Sequence, residues 1–262
     1  MPLADDTGAS GRDAFADPAR GETWDAVLDG AVQFRQPARG YRVNVDSILL
    51  AGFAAEGRPA SLAVDLGAGV GLVALLLHHL RAARALALVE READLAELAR
   101  ANLASAQASG EVFTTDLASE GLPLNLRQAA DLVVSNPPFF DARAHRPPQH
   151  EQRRSARHGG VAPFLKAAAA ALKGPKSRAV LVYPASALTE LLAAAARERL
   201  VPKRLRFVHP FRERAARLAL LELRLARSGG LVIEAPLVEW EQPGVPTADA
   251  AQLMRVRAVD PA

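Results

Sequence analysis

The sequence predicts an α/β fold: a doubly wound, mostly parallel sheet with a C-terminal antiparallel strand, preceded by a short N-terminal hairpin. The first observation behind this prediction is that short apolar runs alternate with helical segments over residues 45–225, because alternating βα units build a parallel sheet covered by helices on both faces. The second is a glycine-rich turn that joins a strand to a helix. The third is that polar residues follow several strands, at the carboxyl ends where such sheets bind ligands.

The elements follow in order from the glycines, prolines and apolar runs of the chain. A hairpin is predicted over residues 28–41, around Gly30 and Pro37, and a helix over 45–55. Gly174 and Pro175 stop a later alanine-rich helix, because glycine suits the end of a helix and proline cannot continue it. The other strands are predicted at 61–66, 85–89, 112–115, 131–135, 178–183, 205–208 and 218–225, and the other helices at 72–80, 92–107, 161–173 and 185–199.

Charge and polarity divide the chain into three parts. Residues 1–26 are acidic, polar and glycine-rich, which predicts a disordered tail. A single large domain is expected over residues 27–240, followed by a C-terminal extension over 241–262. The net charge is only +3, but the arginines cluster at 143–157 and at 203–217. Such clusters are typical of a polyanionic partner, and the alternative is that they are solvated surface.

Composition excludes several classes of protein. There is no cysteine, which excludes disulfides, zinc knuckles and iron–sulfur clusters. No apolar run approaches the ~18 residues needed to span a bilayer, and the N-terminus lacks the features of a signal peptide. We therefore expect a cytoplasmic protein without membrane association. The histidines show no ligand spacing, so no metal site is predicted.

The glycine-rich turn and two acids indicate the kind of cofactor. Gly67, Gly69 and Gly71 follow a strand with the spacing Gly-x-Gly-x-Gly, whereas a dinucleotide-binding turn has Gly-x-Gly-x-x-Gly. Within this turn, Gly67, Ala68 and Gly69 are predicted to bind the cofactor. Asp65 stands just before the turn, where it would repel a pyrophosphate but could pair with an ammonium group. Glu90 ends the next strand, where doubly wound folds bind ribose hydroxyls. An ammonium, a ribose and no phosphate together fit S-adenosyl-L-methionine.

The segment after the fourth strand predicts a catalytic turn. Asn136, Pro137, Pro138 and Phe139 follow the apolar run that starts at Leu132. The prolines fix their own φ angles and so stiffen the turn, which leaves the Asn136 side-chain oxygen and the Pro137 carbonyl as two acceptors beside an aromatic ring. This arrangement suits a planar group that carries an –NH2. The alternative is a proline-terminated strand beside a core aromatic residue.

These motifs resemble those of class I S-adenosylmethionine-dependent methyltransferases that act on exocyclic or amide nitrogens, whose signature is Asn/Asp/Ser-Pro-Pro-aromatic. More narrowly, residues 40–51 and 156–158 are similar to those of the bacterial tRNA adenine-N6 methyltransferases, which modify the adenosine after the anticodon of a valine tRNA. The resemblance extends over residues 28–225. It implies a Rossmann-like fold, S-adenosyl-L-methionine as cofactor and an RNA partner, most often tRNA, with no obligate protein partner.

Residues outside the main motifs also have expected roles, which follow from their positions in the chain and their charges. Asp116 follows the third strand and is expected to accept from the cofactor's adenine amino group, with a turn-capping aspartate as the alternative. Asp46 is expected either to contact the cofactor or to cap the following helix. Three arginines in the polar loop after the catalytic turn are expected to bind RNA phosphates: Arg153, Arg154 and Arg157.

Three other functions remain compatible with the sequence. A guanine-N2 methyltransferase of ribosomal RNA would use the same Asn-Pro-Pro-Phe turn. A protein-glutamine methyltransferase would also use it, usually with tyrosine after the prolines and with a helical N-terminal domain. A non-catalytic module that binds S-adenosylmethionine or RNA would not need to keep the acceptors, and the intact Asn136 and Asp65 disfavour it.

Overall fold

The computed structural model describes residues 21–39, 45–138 and 160–254. No helix in these ranges is long and apolar enough to cross a membrane. In chain order the elements are β1 (Glu22–Val27), β2 (Val32–Pro37), α1 (Val45–Ala55), β3 (Ala60–Leu66), α2 (Leu72–His79), β4 (Ala83–Glu90), α3 (Ala93–Ser105), β5 (Gly110–Thr114), β6 (Leu132–Ser135), α4 (Ala162–Ala171), β7 (Arg178–Pro184), α5 (Leu188–Arg197), β8 (Leu200–His209), β9 (Leu218–Leu225), β10 (Val232–Ile233), β11 (Leu237–Val238), β12 (Trp240–Gln242), β13 (Val245–Pro246) and α6 (Ala248–Met254).

The central sheet has nine strands in the described part of the chain. Their spatial order is β10-β8-β9-β7-β6-β3-β4-β5, and β11 also pairs with β8. The strand β9 runs antiparallel to its two neighbours, β7 and β8, and the other neighbouring pairs of this sheet are parallel. The predicted mostly parallel sheet with a C-terminal antiparallel strand is therefore confirmed.

The strand order reverses between β3 and β6. From β3 the chain passes through β4 to β5 on one side of the sheet, and it then returns to β6 on the other side. Leu66 and Ser135 are the last paired residues of β3 and β6, so the segments after these two strands leave the sheet side by side. Doubly wound sheets bind their ligands in the crevice that opens at such a reversal.

Helices cover both faces of the sheet. Leu132 and Val134 of β6 belong to an apolar cluster that includes residues of α1, α2 and α3, whereas Val133 between them belongs to a cluster with α4 and α5. Because both faces are buried, the strands consist of continuous apolar runs rather than alternating ones. This burial explains why the strands were recognisable in the sequence.

The N-terminal hairpin exists but is shifted from its predicted position. The strands β1 and β2 pair antiparallel from Glu22–Pro37 to Val27–Val32, so residues 22–26 belong to a strand and not to the predicted tail. Leu28, Asp29 and Gly30 have φ of 55°, 53° and 89° and form the turn. Asp-Gly is a strong turn signal between strands, and it places the first strand before residue 28. Residues 1–20 lie outside the described part.

Asn102 of α3 attaches this hairpin to the rest of the domain. Its side chain accepts from the Arg35 N–H at 2.7 Å and donates to the Arg35 carbonyl at 2.9 Å, which satisfies both backbone groups of one β2 residue. The same side-chain nitrogen donates to the carbonyl of Val70 in the glycine-rich turn at 2.9 Å. Asn102 is only 1% exposed, so it links the hairpin, α3 and the glycine-rich turn through buried hydrogen bonds.

The expected boundary at residue 240 is not a break in the packing. Ala250 of α6 is fully buried in the cluster that contains α1 and α2. A Cβ placed on Gly52 of α1 would lie 2.8 Å from Leu253 Cδ2, so α6 lies close against α1 at this glycine. The chain therefore continues to contribute to the same core through α6.

Candidate active site

Four side chains that were predicted to bind ligand or to catalyse lie at the carboxyl edge of the sheet. Asp65 is the last but one residue of β3, and Glu90 is the last residue of β4. Asp116 follows the end of β5 by two residues, and Asn136 directly follows β6. These strands are neighbours in the order β6-β3-β4-β5, so the four residues border one continuous stretch of the edge.

The glycine-rich turn after β3 rests on the end of β4. The amide groups of Gly67 and Ala68 both donate to the carbonyl of Val89, at N···O distances of 2.8 and 3.1 Å. Gly67 and Gly69 have φ of 73° and 56°, in the left-handed region that glycine adopts without the strain of a Cβ. The turn therefore brings bare backbone to the crevice, where a ligand can approach it closely.

Glu90 holds this turn through its carboxylate. Its Oε2 accepts from the Gly69 N–H at 2.8 Å, and its Oε1 accepts from the N–H groups of Arg91 and Glu92 at 2.8 and 2.9 Å. The residue is 7% exposed. Since a carboxylate offers about four acceptor positions, Oε2 can still accept a second donor such as a hydroxyl group.

Asp65 is a buried carboxylate with an unsatisfied oxygen. It is 3% exposed, and its Oδ2 has no hydrogen-bond partner among the described residues. Burial and, second, the negative charge of Glu90 raise the pKa of Asp65 from 3.8 to about 7, against a hydrogen bond from the Ala74 backbone that lowers it. An unsatisfied buried acceptor costs about 1–3 kcal/mol, so this position favours a ligand that brings a donor or a cation.

Asp116 lies where the sequence placed it, and its carboxylate also stabilises a turn. Its Oδ1 accepts from the Ala118 N–H at 2.9 Å, and its own N–H donates to Glu120 Oε1 at 3.0 Å. This is the turn-capping arrangement that was the alternative to cofactor binding. The residue is half-buried, so the cap leaves part of the side chain accessible, and contact with a cofactor adenine stays a prediction.

Asp46 has a partner that the sequence did not indicate. It lies within the first turn of α1 rather than before it, so the expected role as the cap residue of this helix is wrong. Its Oδ1 accepts from Arg217 Nη1 at 2.7 Å, and the same guanidinium binds both oxygens of Glu239, at 2.9 Å from Nε and 2.6 Å from Nη2. These interactions raise the pKa of Arg217 despite its burial. Cofactor contact by Asp46 stays a prediction.

The Asn136 turn begins beside the first glycine of the glycine-rich turn. Ser135 Oγ donates to the Leu66 carbonyl at 2.7 Å, which fastens the end of β6 to the end of β3. In the three residues that follow Ser135, Asn136 is half-buried, Pro137 is buried and Pro138 is exposed. The structure thus brings Asn136 to the strand-order reversal. Phe139 and the three predicted substrate arginines, Arg153, Arg154 and Arg157, lie outside the described residues.

Phe164 of α4 is a candidate site residue that sequence reasoning missed. A Cβ placed on Gly67 would lie only 2.9 Å from Phe164 Cε1, so the ring lies directly against the glycine-rich turn. The side chain is half-buried and belongs to the edge of the second apolar cluster. A single aromatic residue at the start of an alanine-rich helix is typical of core packing, and nothing in the local sequence indicated this contact. Among the described residues, no group of three or more histidines and acids could hold a metal ion.

Comparison with known proteins identifies the family. Residues 44–174 match the methyltransferase small domain family. A tRNA1(Val) (adenine(37)-N6)-methyltransferase of Porphyromonas gingivalis is 35% identical over 197 residues, which cover 71% of this chain and 75% of that protein. The chain belongs to the methyltransferase small domain family. The protein of the same name in Parabacteroides distasonis is 31% identical over 70% of this chain and 76% of its own length.

Solved methyltransferase structures share the fold of this family member. A predicted O-methyltransferase of Agrobacterium tumefaciens superimposes with a TM-score of 0.64 at 24% identity, over 81% of this chain and 97% of that one. A 16S rRNA N2-guanosine methyltransferase of T. thermophilus, solved with AdoMet and guanosine, gives a TM-score of 0.54 at 19% identity, over 78% of this chain and half of that one. These identities establish the fold alone. The predicted Rossmann-like methyltransferase fold is confirmed.

S-adenosyl-L-methionine, the methyl donor of this class of enzymes, fits the residues at the carboxyl edge. Its ammonium group would satisfy the buried Asp65 Oδ2, which lacks a partner among the described residues. Its ribose hydroxyls suit the remaining acceptor capacity of Glu90. The glycine turn between these acids has no side chain at Gly69 to obstruct the ligand, whereas the side-chain position of Gly67 faces the Phe164 ring.

Replacing Glu90 with alanine is expected to weaken S-adenosylmethionine binding about 10- to 100-fold, because a charged hydrogen-bond acceptor contributes roughly 1.5–3 kcal/mol. Calorimetric titration without RNA measures the effect. Asp94→Ala is the matched control, since Asp94 carries the same charge on the exposed side of α3. If Glu90→Ala is folded and binds the cofactor as tightly as the wild type, Glu90 is not part of the site.

Proposed function

We propose that this chain transfers the methyl group of S-adenosylmethionine to the exocyclic N6 of adenine in RNA, and that the target is the adenosine after the anticodon of a tRNA. The observation that carries the proposal is the position of Asn136 directly after β6, beside the glycine turn of β3. The target follows from the family relatives, which are named for adenine-N6 methylation of tRNA1(Val) and are 31–35% identical over about 70% of the chain.

The Asn136 turn would act on the nucleophile. An adenine amino nitrogen is a poor nucleophile because its lone pair is delocalised into the ring. The side-chain oxygen of Asn136 and the carbonyl of Pro137 would each accept one amino hydrogen, which favours a pyramidal nitrogen with an available lone pair. This interaction strengthens as positive charge develops on the nitrogen, so it lowers the barrier more than it stabilises the bound substrate. When bound, S-adenosylmethionine supplies an electrophilic methyl group on a good leaving group.

The local structure supports a rigid acceptor turn. Pro137 is buried, and the two prolines limit the φ angles of the turn. Ser135 Oγ anchors the preceding residue to Leu66 at 2.7 Å. A turn that is already ordered does not lose further conformational freedom when the substrate arrives, which is the advantage of preorganised acceptors.

The position of the acceptors favours a target base from unpaired RNA. A target base must leave its stack to reach acceptors at the strand end, and this costs least in a single-stranded loop. The anticodon loop of a tRNA meets this condition. Stacking by Phe139, at roughly 1–3 kcal/mol, and phosphate binding by Arg153, Arg154 and Arg157 belong to the same proposal.

The test combines purified protein, cofactor labelled in its methyl group and a transcript of a valine tRNA, followed by identification of the modified nucleoside. The expected product is N6-methyladenosine at the position after the anticodon, and a transcript with guanosine there should remain unmodified. A matched ribosomal RNA fragment and a glutamine-containing protein substrate are added in parallel. N2-methylguanosine, label in protein, or no transfer to any RNA would each contradict the proposal.

A further inference from the structure

We propose that the segment from the last residue of β8 to the start of β9, residues 209–217, is a preformed phosphate-binding surface for the RNA substrate, with Arg212 and Arg214 as its contact residues. We call this segment the basic turn. The inference rests on the proposed RNA substrate and adds a second binding surface to it, on the far side of the acceptor turn from the cofactor strands.

The topology places the basic turn on the active-site edge. Because β9 is antiparallel to both neighbours, β8 runs in the same direction as β3 to β7, and the turn that follows it leaves the carboxyl edge. In the order β8-β9-β7-β6, the two strands that the basic turn connects lie two and three positions from β6, which Asn136 follows. At about 4.8 Å per interval this is about 10–15 Å, a distance that RNA flanking a bound base can bridge.

Backbone hydrogen bonds make the turn rigid. The Arg217 N–H donates to the Val208 carbonyl at 2.8 Å, and the Arg214 N–H donates to the Phe211 carbonyl at 3.0 Å. His209 Nδ1 donates to the Arg214 carbonyl at 2.8 Å. Residues near β11 and β12 hold the other side of the turn. The Glu239 N–H donates to the His209 carbonyl at 2.8 Å, and the Trp240 N–H donates to the Pro210 carbonyl at 3.1 Å.

The Arg217 guanidinium fastens the end of the turn to the body of the domain. It bridges Asp46 of α1 and Glu239, which are 4% and 2% exposed. The Arg217 carbonyl also accepts from the Ala185 N–H after β7 at 3.0 Å. Arg217 is therefore compensated by two acids and acts as a positioning residue, which leaves the contact with RNA to the other arginines of the turn.

Arg212 and Arg214 are the exposed cations of the basic turn. Both are exposed, and no ion pair with another described residue engages either of them. Glu213 between them is an exposed acid, so the turn tip retains a net positive charge. A guanidinium binds phosphate through paired hydrogen bonds, and a rigid turn limits the ordering cost of binding. Two exposed arginines without an ion pair among the described residues, on a turn held by backbone hydrogen bonds, fit a polyanion.

The test replaces Arg212 and Arg214 with alanine together and measures binding of a labelled valine tRNA from 50 to 200 mM salt. Each lost phosphate contact should reduce the slope of log affinity against log salt by about one, and should weaken binding by up to about tenfold near 0.1 M salt. In methylation assays, the double alanine variant should raise KM more than it lowers kcat. The double lysine variant, Arg212→Lys with Arg214→Lys, keeps the charge and should retain most of the slope.

The matched control is Arg197→Ala with Arg199→Ala. These arginines are also exposed and two residues apart, but they precede β8, about 30 Å from the basic turn at 3.3 Å per residue. This pair should bind tRNA and methylate it as the wild type does. The inference is overturned if the Arg212 and Arg214 double variant keeps the wild-type slope and KM, or if the control pair loses as much affinity.

The outcomes separate this inference from the proposed function. If the wild type binds tRNA but methylates a different base or none, the proposed function is wrong, while a reduced slope in the double alanine variant still supports the basic turn. If the wild type produces N6-methyladenosine and the double variant binds and turns over normally, the proposed function stands and the basic turn is ordinary solvated surface.

Discussion

Replacing Asn136 with alanine is expected to reduce turnover about 10²- to 10³-fold while leaving S-adenosylmethionine affinity near that of the wild type. The size follows from other enzymes, in which removal of one preorganised group that stabilises transition-state charge costs about this factor. The cofactor should be unaffected because its proposed acids, Asp65 and Glu90, lie on β3 and β4 whereas Asn136 follows β6. Single-turnover methylation and calorimetry measure the two effects separately.

The matched variant is Asn136→Asp, which keeps an oxygen acceptor of the same size at the end of β6. It should retain more activity than Asn136→Ala if acceptance of an amino hydrogen is the role of this side chain. Its pH profile should differ from that of the wild type because a carboxylate replaces an amide. Near-normal turnover by a folded Asn136→Ala would contradict the proposed acceptor role and would leave the turn as a strand terminator.

The fold could be predicted because its signals are local. Buried strands of a two-faced sheet are continuous apolar runs, and the ends of β3, β4 and β6 are marked by Gly67, Glu90 and Asn136 in the sequence itself. The right-handed winding of βα units then brings these ends to one edge. Sequence position alone therefore sufficed to place Asp65, Glu90, Asp116 and Asn136 together.

Contacts between distant segments could not be predicted in this way. Asp46 had two plausible local roles, yet its carboxylate binds Arg217, which precedes β9. Asn102 is an unremarkable polar residue of a helix, and only the packing of β2 against α3 reveals that it satisfies both backbone groups of Arg35. Phe164 lies on Gly67 because α4 returns over the start of the crevice. Each of these contacts depends on the docking of whole elements.

The buried acid Asp65 is expected to make the stability of the ligand-free protein depend on pH. Its pKa is about 7 in the folded chain and 3.8 ordinarily, so between these values the folded state binds more protons than the unfolded state. The stability that protonated Asp65 contributes is therefore present below about pH 4 and is lost as the pH rises through about 7. The shift corresponds to roughly 4 kcal/mol.

Denaturant titrations of the wild type and of Asp65→Asn at several pH values isolate this contribution, because all other groups are common to both proteins. The ligand-free variant should be the more stable protein at pH 8, by about 1–4 kcal/mol once the cost of an unsatisfied amide group is allowed for. The difference should shrink or reverse toward pH 4. A difference that does not change between pH 4 and 8 would show that folding leaves the pKa of Asp65 unshifted.

The same carboxylate should make S-adenosylmethionine binding depend on pH in the opposite sense. Pairing with the cofactor's ammonium requires ionised Asp65, so below its pKa of about 7 each binding event must release a proton. Affinity should rise about 10- to 20-fold from pH 5.5 to 7, and it should level off above that, where the ammonium itself begins to titrate.

Asp65→Asn should bind more weakly at pH 7 and should show a flat profile over this range. Calorimetry in buffers of different ionisation enthalpy reports the released proton directly, and an unchanged slope in Asp65→Asn would assign the pH dependence to another group.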